Sequence, residues 1–370
     1  MFRIIGVTYV FTSNYGSCFQ AYALQQTLNR MTVSSDTVDY KVLPISKCPG
    51  YPVSKEAGIK SKIKKQVRII TRRQFVAFEK NYMKYAPFYP VSDFERLNDI
   101  ADAFVCGSDI VWNPKFNHDL KSYYLDFAKK YAFSYAASFG KSDIEESKLS
   151  EIGDLIGRLD AISVREKRSA QIAEQCTQKT DIRVVVDPVL LLNQDQWNQI
   201  AEKDNPFGKY IFVYSVSTTP LFQRFVEKLS RQTGLKVIRS GGNSGAVIKH
   251  RILKVQTPQR WLQQMRDAEY VVTDSFHGSV FSTIFRKNFF SIVDGDPKEG
   301  YNVRMNDFLN GIGQEGRIYS DIPETIDCSP IDYSETSEIL RKQIEQSYDY
   351  IKENIEAAYQ QKKAAEKTER

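Results

Sequence analysis

The 370-residue chain has little cysteine and less histidine, five and three residues respectively. The cysteines (Cys18, Cys48, Cys106, Cys176, Cys328) are odd in number and never spaced as CxxC. That pattern argues against a disulfide framework or a cysteine zinc site and suggests a reducing, cytoplasmic setting. No apolar run approaches the roughly 20 residues of a membrane-spanning helix. The opening MFRIIGVTYVF carries one charge, Arg3, and no clean small-residue cleavage site follows; it reads as a buried first strand, not a signal peptide. GxGxxG, P-loop, GxSxG and HExxH patterns are missing, which removes the simplest routes to dinucleotide, nucleoside triphosphate, hydrolase and zinc-protease chemistry. No acidic pair sits in a setting for a nucleotide-sugar metal, and His118 and His250 have no ligand-spaced partners, so no metal or cofactor is expected.

What is present fits a globular α/β protein. Hydrophobic residues make up 42% and charged residues 26%, enough for a sizeable core, and the length suits two domains. The net charge of +6 suits an anionic small substrate or an acidic membrane surface and does not point to nucleic acid. Strand-like and helix-like stretches alternate. FRIIGVTYV, a loop FTSNYGS, the helical CFQAYALQQTLNRM and the strand DTVDYKV open a doubly wound domain. A second series begins at YIFVYSV, after the polar stretch 193–209. Its helices are predicted to end at Gly234 and to start at Thr257 and Pro258. The expected architecture is GT-B-like, with two Rossmann-like domains (1–195 and 206–325) facing a central cleft and a C-terminal helix over 333–366. Residues 55–84 form a basic insertion in the first domain, with ten Lys or Arg against two Glu.

Several strand-to-loop junctions could carry chemistry. TDSFHGSVFS (273–282) follows the strand YVV. His277 can add charge or a proton there. Ser275, Gly278 and Ser279 surround a predicted helix start, which offers free N–H groups to an anion. A capped helix with a hydrogen-bonded histidine explains the same letters about as well. CGSDIVWNP (106–114) offers Ser108 and Asn113 for binding, Asp109 to act on a hydroxyl and Trp112 to stack on a sugar; a turn around a buried tryptophan is the competing explanation. SNYGS places Asn14 and Tyr15 in a similar loop. SVREKRS puts Arg165 at a strand end, where a guanidinium can grip a carboxylate or phosphate. VVVDPVLLL sets Asp187 before a proline, a cap or turn by its local pattern.

Taken together, NYGSCFQAYAL, CGSDIVWNP, YAASFG, SVREKRS, VVVDPVLLL and VTDSFHGSVFSTIFRKNF resemble, in order and spacing over roughly residues 4–310, the polysaccharide pyruvyl transferase family. The resemblance implies a GT-B-like enzyme that uses phosphoenolpyruvate as co-substrate and places a pyruvate ketal on a sugar of a surface-polysaccharide precursor. It implies His277 as the catalytic histidine with Asp109 acting on the acceptor. Some relatives carry an arginine two residues before the histidine, where this chain has Ser275. The donor guanidinium is then expected from Arg165, with Arg304 and Lys287 behind it. Donor binding is assigned to Arg165, Ser275, Gly278 and Ser279, and acceptor binding to Asn14, Tyr15, Ser108, Trp112 and Asn113. A lipid-diphosphate-linked acceptor would bring the protein to the inner face of the membrane, with the basic insertion as a peripheral contact. Two other readings stay open: a GT-B glycosyltransferase with a nucleotide-sugar donor, and a non-catalytic scaffold of polysaccharide assembly. The sequence carries no sign of oligomeric state.

Overall fold

Two parallel sheets hold the strands that matter for the site. The computed structural model describes residues 1–44, 59–115, 120–177, 179–241, 246–249, 252–296 and 299–368. The first half runs β1 (Phe2–Val7), α1 (Tyr15–Leu28), β2 (Thr32–Val33), β3 (Asp36–Val42), α2 (Ile59–Tyr82), β4 (Ala103–Cys106), α3 (Leu120–Tyr123) and β5 (Ala132–Ser134). It continues through α4 (Glu146–Gly157), β6 (Ile162–Val164), α5 (Lys167–Cys176), β7 (Ile182–Val184) and α6 (Gln194–Ile200). Strand order is β2-β3-β1-β4-β5, and single bridges at Phe133–Ala161 and Ala137–Val164 carry it on to the β6–β7 pair. Apart from the β2 hairpin, the pairings are parallel. The chain order therefore reverses between β1 and β4, the place where open α/β sheets leave a crevice at their carboxyl ends.

The second half repeats the plan. It runs β8 (Ile211–Ser215), α7 (Pro220–Thr233), β9 (Val237–Gly241), β10 (Ala246–Lys249), β11 (Ile252–Val255), α8 (Pro258–Asp267) and β12 (Tyr270–Thr273). Then come α9 (Phe276–Ile284), β13 (Asn288–Ile292), α10 (Val303–Gly311), β14 (Ile318–Tyr319) and α11 (Ser334–Thr368). Strand order is β14-β13-β12-β8-β9, with the reversal between β8 and β12. Local chemistry sets the helix ends as the sequence predicts. Thr219 and Thr257 accept from the N–H groups of Phe222 and Arg260 with proline next in line, and Gly234 closes α7 at φ 68°.

The long α11 returns to the first sheet. Tyr350 donates to the Ser134 carbonyl at 2.9 Å, and Ser347 accepts from the Val186 N–H at 3.0 Å. An aromatic cluster joins the halves. Tyr15 stacks on Trp261 at 5.2 Å and meets Tyr214 edge-on, while Phe19 packs on Trp197, Trp261 and Phe281. Such ring pairs contribute about 0.5–1.5 kcal/mol each beyond the area they bury.

Three elements differ from expectation. The polar stretch 193–209 contains α6, fixed by a reciprocal cap between Asn193 and Gln196, and its Trp197 is fully buried. The β10–β11 hairpin was not anticipated, because two four-residue strands in a basic stretch give little period-two signal. Within the basic insertion, residues 59–82 form the helix α2, and its Phe75 and Phe78 enter the joint core. The side chains of 59–68, including Lys62, Ile63, Lys64, Lys65 and Val67, lie outside the described residues, as do His118 and His250. On the same helix Glu79 is buried, and both its carboxylate oxygens accept from the Phe11 N–H, at 3.0 and 3.1 Å. Burial pushes its pKa up to about 8. This bond anchors the β1–α1 loop, where Phe11 itself takes φ 56°.

Candidate active site

The carboxyl ends of β4, β6, β7 and β12 converge with the first turn of α1. Arg165 follows β6 directly and its side chain is 1% exposed. Its Nη1 donates to Asp187 Oδ2 at 2.8 Å, its Nε to Glu166 Oε2 at 3.4 Å, and Nη1 stands 3.9 Å from Asp109 Oδ1. The guanidinium lies 4.4 Å from the ring centre of Phe276, which opens α9 in the other half. Burial works against the charge, but Asp187, Glu166 and Asp109 outweigh it and raise the pKa. Glu166 is held in turn by the hydroxyls of Ser138, at 2.6 Å, and Ser169.

Asp187 is the hinge of the cluster. Its Oδ1 accepts from the Val189 N–H at 3.1 Å, capping the short turn of helix Pro188–Leu191. Its Oδ2 faces Arg165 and the Ser108 hydroxyl, the latter at 3.5 Å, and stands 3.3 Å from His277 Nε2. Burial alone would push the carboxyl up. His277 and Arg165 more than reverse this and hold it well below the usual carboxylate range. A lowered folded-state pKa adds stability above the unfolded value of about 3.9, and that stability is lost as pH falls from there through the folded pKa. Asp187→Asn should therefore flatten the loss of stability below about pH 4, measured by denaturant unfolding across the acid range. An unchanged acid limb would remove Asp187 from that account.

His277 sits in the first turn of α9, buried between the halves. Its Nε2 is covered from solvent and, despite the nearby carboxylate, makes no aligned hydrogen bond. The ring lies directly over Gly16 of α1. A Cβ on Gly16 would fall 2.1 Å from His277 Nδ1. Gly16→Ala must displace the imidazole, so it should lower turnover by about 10²-fold while the fold stays intact. Turnover at the wild-type rate would show that the position of this ring is unimportant.

Asp109 comes from the crevice between β1 and β4 at φ 80°, a conformation a non-glycine residue holds at a cost of about 1–3 kcal/mol. Its Oδ2 accepts from Ser17 Oγ at 2.5 Å and its Oδ1 from the Ile110 N–H at 2.9 Å. Ser17 lies in the first turn of α1, which exposed Asn14 caps by accepting from the Ser17 N–H at 3.2 Å. Ser108 is buried beneath Asp109, and its carbonyl accepts from the Thr8 hydroxyl.

The structure gives other expected residues packing tasks. Tyr15 is buried in the joint core and donates to the Gln256 carbonyl at 3.3 Å, which takes it away from acceptor binding. Trp112 is fully buried and stacks on Tyr124 at 5.2 Å; it offers no open face to a sugar. Asn113 is buried too, donating to the Phe139 carbonyl and accepting from the Lys115 N–H. Gly278 lets α9 lie against β12, since a Cβ there would meet Thr273 Oγ1 at 2.1 Å; close helix packing explains it without a ligand. Ser279 is buried against Ser291, at 2.8 Å. Ser275 is the cap position of α9, its N–H donating to Thr273 Oγ1 at 3.1 Å; the helix begins at Phe276, two residues before the glycine. Lys287, beyond the far end of α9, donates to the Arg266 carbonyl. Arg304 lies in the first turn of α10, with its guanidinium 5.7 Å from the ring centre of Tyr301.

Residues the sequence undervalued include Ser17, Gly16 and Glu166. The β8–β12 crevice holds another. Asp274 accepts from the N–H groups of Val216, Ser217 and Thr218 at 2.6, 2.9 and 3.2 Å, and from the Ser215 hydroxyl at 2.7 Å. A carboxylate of the chain itself thus fills the nest of backbone donors in the loop ahead of α7.

Two doubly wound sheets, facing carboxyl ends and a returning C-terminal helix define a GT-B-type fold. The solved structure of MnaA from S. aureus with UDP shares that fold at TM-score 0.50 and 10% identity, covering 96% of this chain and 91% of that one. A UDP-N-acetylglucosamine 2-epimerase from Rickettsia bellii aligns at 0.44 and 13% over 95% and 98% of the two chains. E. coli heptosyltransferase WaaC with ADP aligns at 0.39 and 10%, over 92% and 99%. Among curated proteins none matches the chain by sequence. The family model described as polysaccharide pyruvyl transferase matches residues 14–296. The chain belongs to that family, and the matched span contains Arg165, Asp187, Asp109 and His277.

Proposed function

We propose that the protein transfers the enolpyruvyl unit of phosphoenolpyruvate to two hydroxyls of one sugar, forming a cyclic pyruvate ketal on a surface-polysaccharide precursor. One observation carries the reading. Buried Arg165 keeps Nη2 without a hydrogen-bond partner, and His277 Nε2 stands 3.3 Å from the Asp187 carboxylate that Arg165 also engages. Covered N–H groups of a cation at a helix start are what a small carboxylate or phosphate requires. Because these groups are buried between the halves, a substrate reaches them only when the facing loops part.

In this scheme His277 protonates the methylene carbon of the donor, making C2 electrophilic. The first sugar hydroxyl adds to C2 and gives up its proton, with Asp109 as the base. The C2–O bond to phosphate then breaks, and the second hydroxyl closes the ring. One hydroxyl proton replaces the proton His277 gave to the new methyl group, and the other balances the departing phosphate. The bond from the Ser17 hydroxyl to Asp109 Oδ2 supports this role, since it shows the carboxylate able to accept from a hydroxyl. Asp274 already takes the backbone donors ahead of α7, so a nucleotide-sugar diphosphate would have to use the start of α9 beside His277, the same place the phosphoenolpyruvate reading uses.

The direct test incubates the purified protein with phosphoenolpyruvate and simple β-galactosides. It looks by mass for the pyruvate ketal and measures released phosphate; a panel of nucleotide sugars serves as the alternative. Transfer from a nucleotide sugar, and none from phosphoenolpyruvate, would overturn the reading. A lipid-linked acceptor adds a further expectation. Among the described residues no helix is long and apolar enough to cross a membrane. The basic helix α2 should instead give salt-sensitive sedimentation with anionic vesicles, at about 1 kcal/mol per basic residue near the surface. Equal binding to neutral vesicles, or binding that survives replacement of Lys62, Lys64, Lys65, Arg72 and Arg73 by Gln, would dismiss this contact.

A further inference from the structure

Glu79 is a fully buried acid that the reaction scheme leaves unused. It lies on α2 beside Phe75 and Phe78, and both its oxygens face the Phe11 N–H, at 3.0 and 3.1 Å. Among the described residues no cation pairs with it; Arg72, earlier on the same helix, acts on it through space alone. Its titratable neighbours on other elements are Cys18 of α1 and Tyr85 beyond α2, both pushed up by burial and by the nearness of Glu79. The β1–α1 loop, residues 8–14, has no charged side chain. A glutamine would answer the Phe11 N–H without the cost of burying a charge, so that N–H alone does not account for an acid here. What Glu79 holds leads directly to the site. Phe11, at φ 56°, stacks on Tyr85 at 5.0 Å. Three residues on, Asn14 caps α1. Gly16 and Ser17 follow in its first turn, the one under the His277 ring and the other 2.5 Å from Asp109 Oδ2. The other end of α1 is fixed separately, the Gln25 amide donating to the Lys84 carbonyl at 2.7 Å and accepting from its N–H at 2.6 Å. Glu79 ties the leading end to α2.

We propose that Glu79 is a positioning residue: its carboxyl sets the β1–α1 loop and, through it, the first turn of α1 against His277 and Asp109. The placement is pH-sensitive. Burial pushes the Glu79 pKa up to about 8, so below that pH the group is neutral and suits its core, and above it a charge without a counter-ion lies there. That charge draws in water and loosens the contact between α2 and the loop. The effect on turnover rests on the roles proposed above for His277 and Asp109; the placement of the imidazole does not.

Wild type, Glu79→Gln and Glu79→Leu test the role. Leucine fills the space and leaves the Phe11 N–H unanswered; glutamine answers it and cannot ionise. The chain has three histidines, and His277→Ala identifies the imidazole NMR signal of the site. In mildly acidic solution that signal should shift in Glu79→Leu and coincide with wild type in Glu79→Gln. As pH rises through about 8, wild type should part from Glu79→Gln in the same signal. Transfer from phosphoenolpyruvate should fall by up to about 10²-fold in kcat in Glu79→Leu and be restored in Glu79→Gln. Donor affinity in calorimetry should hold, because Arg165 is fixed by Asp187 and Glu166. Stability follows the same proton. The folded pKa lies above the unfolded value of about 4.3, so wild type loses stability as pH rises from there to about 8. The advantage of Glu79→Gln in urea unfolding should widen across that window and level off beyond it. If wild type does not use phosphoenolpyruvate while the histidine signal shifts in Glu79→Leu and returns in Glu79→Gln, the donor reading falls and the positioning role stands. A histidine signal common to all three folded proteins at every pH would overturn the role. So would equal losses of kcat and donor affinity in Glu79→Leu that glutamine does not restore, the mark of general damage. If Glu79→Leu does not fold, wild type and Glu79→Gln decide alone, and a signal that never diverges between them as pH rises overturns the proposal.

Discussion

His277→Ala should keep the fold and lose transfer by about 10²–10⁴-fold, the range for removal of a positioned general acid. The ring is held by the backbone of Gly16 on one side and by the charge of Asp187 on the other. Neither contact is needed to fold α9, whose start is buried by Phe276 and whose body packs through Val280 and Phe281. Truncation therefore removes the proposed proton donor and little core. Isotope labelling gives a readout that loss of packing would not imitate. In heavy water the wild-type protein should place solvent deuterium in the methyl group of the ketal. His277→Ala should slow that incorporation in step with phosphate release. Turnover at the wild-type rate in a well-folded variant would mean that another group protonates the methylene carbon.

The alternation of strands and helices was legible because several helices carry their own end signals and the central buried strands their own apolar runs. Thr257 followed by Pro258, and Gly234 after α7, are local chemistry and behave as local chemistry. His277 and Arg165 could be singled out because each follows a buried strand at a predicted helix start, where free N–H groups and a cation suit an anion, although a capped helix explains the histidine about as well. The environment of those residues could not be read the same way. Asp187 looked like a turn residue, and it is one, accepting from the Val189 N–H. Its second oxygen reaches Arg165, 22 positions earlier, and stands beside His277, 90 positions later, and no local pattern encodes that meeting. Tyr15 and Trp112 misled for a related reason. An aromatic residue in a polar loop has the same letters whether it faces a sugar or turns inward. Here the approach of α8 gives Tyr15 the ring of Trp261, and α3 with its following turn gives Trp112 the ring of Tyr124. Asp109 is intermediate. Its place at a crevice was readable, but its left-handed backbone and its bond to Ser17 belong to the folded molecule.

Arg165→Ala should have the largest effect on the molecule as a whole, because it removes charge that the fold uses and that the proposed donor site requires. From the sequence alone the expected result is weaker donor binding with little else changed. The structure adds a cost. Asp187 and Glu166 would remain buried with their shared cation gone, and breaking such a pair typically costs about 3–5 kcal/mol. Loss of activity in Arg165→Ala is thus ambiguous, and two further variants separate stability from binding. Arg165→Lys keeps the charge without the planar fork, so it should retain much of the stability while binding phosphoenolpyruvate about 10–100-fold more weakly. Arg165→Ala combined with Asp187→Asn removes both charges of the closest pair, so it should recover part of the lost stability and none of the donor binding. The shortfall from additivity between the two single variants measures their coupling, expected at about 0.5–3 kcal/mol for groups in direct contact. Urea unfolding supplies the stabilities and calorimetry the affinities. If Arg165→Lys binds phosphoenolpyruvate as wild type does, the Nη2 left free of protein partners is not waiting for the donor, and the anion belongs elsewhere in the crevice.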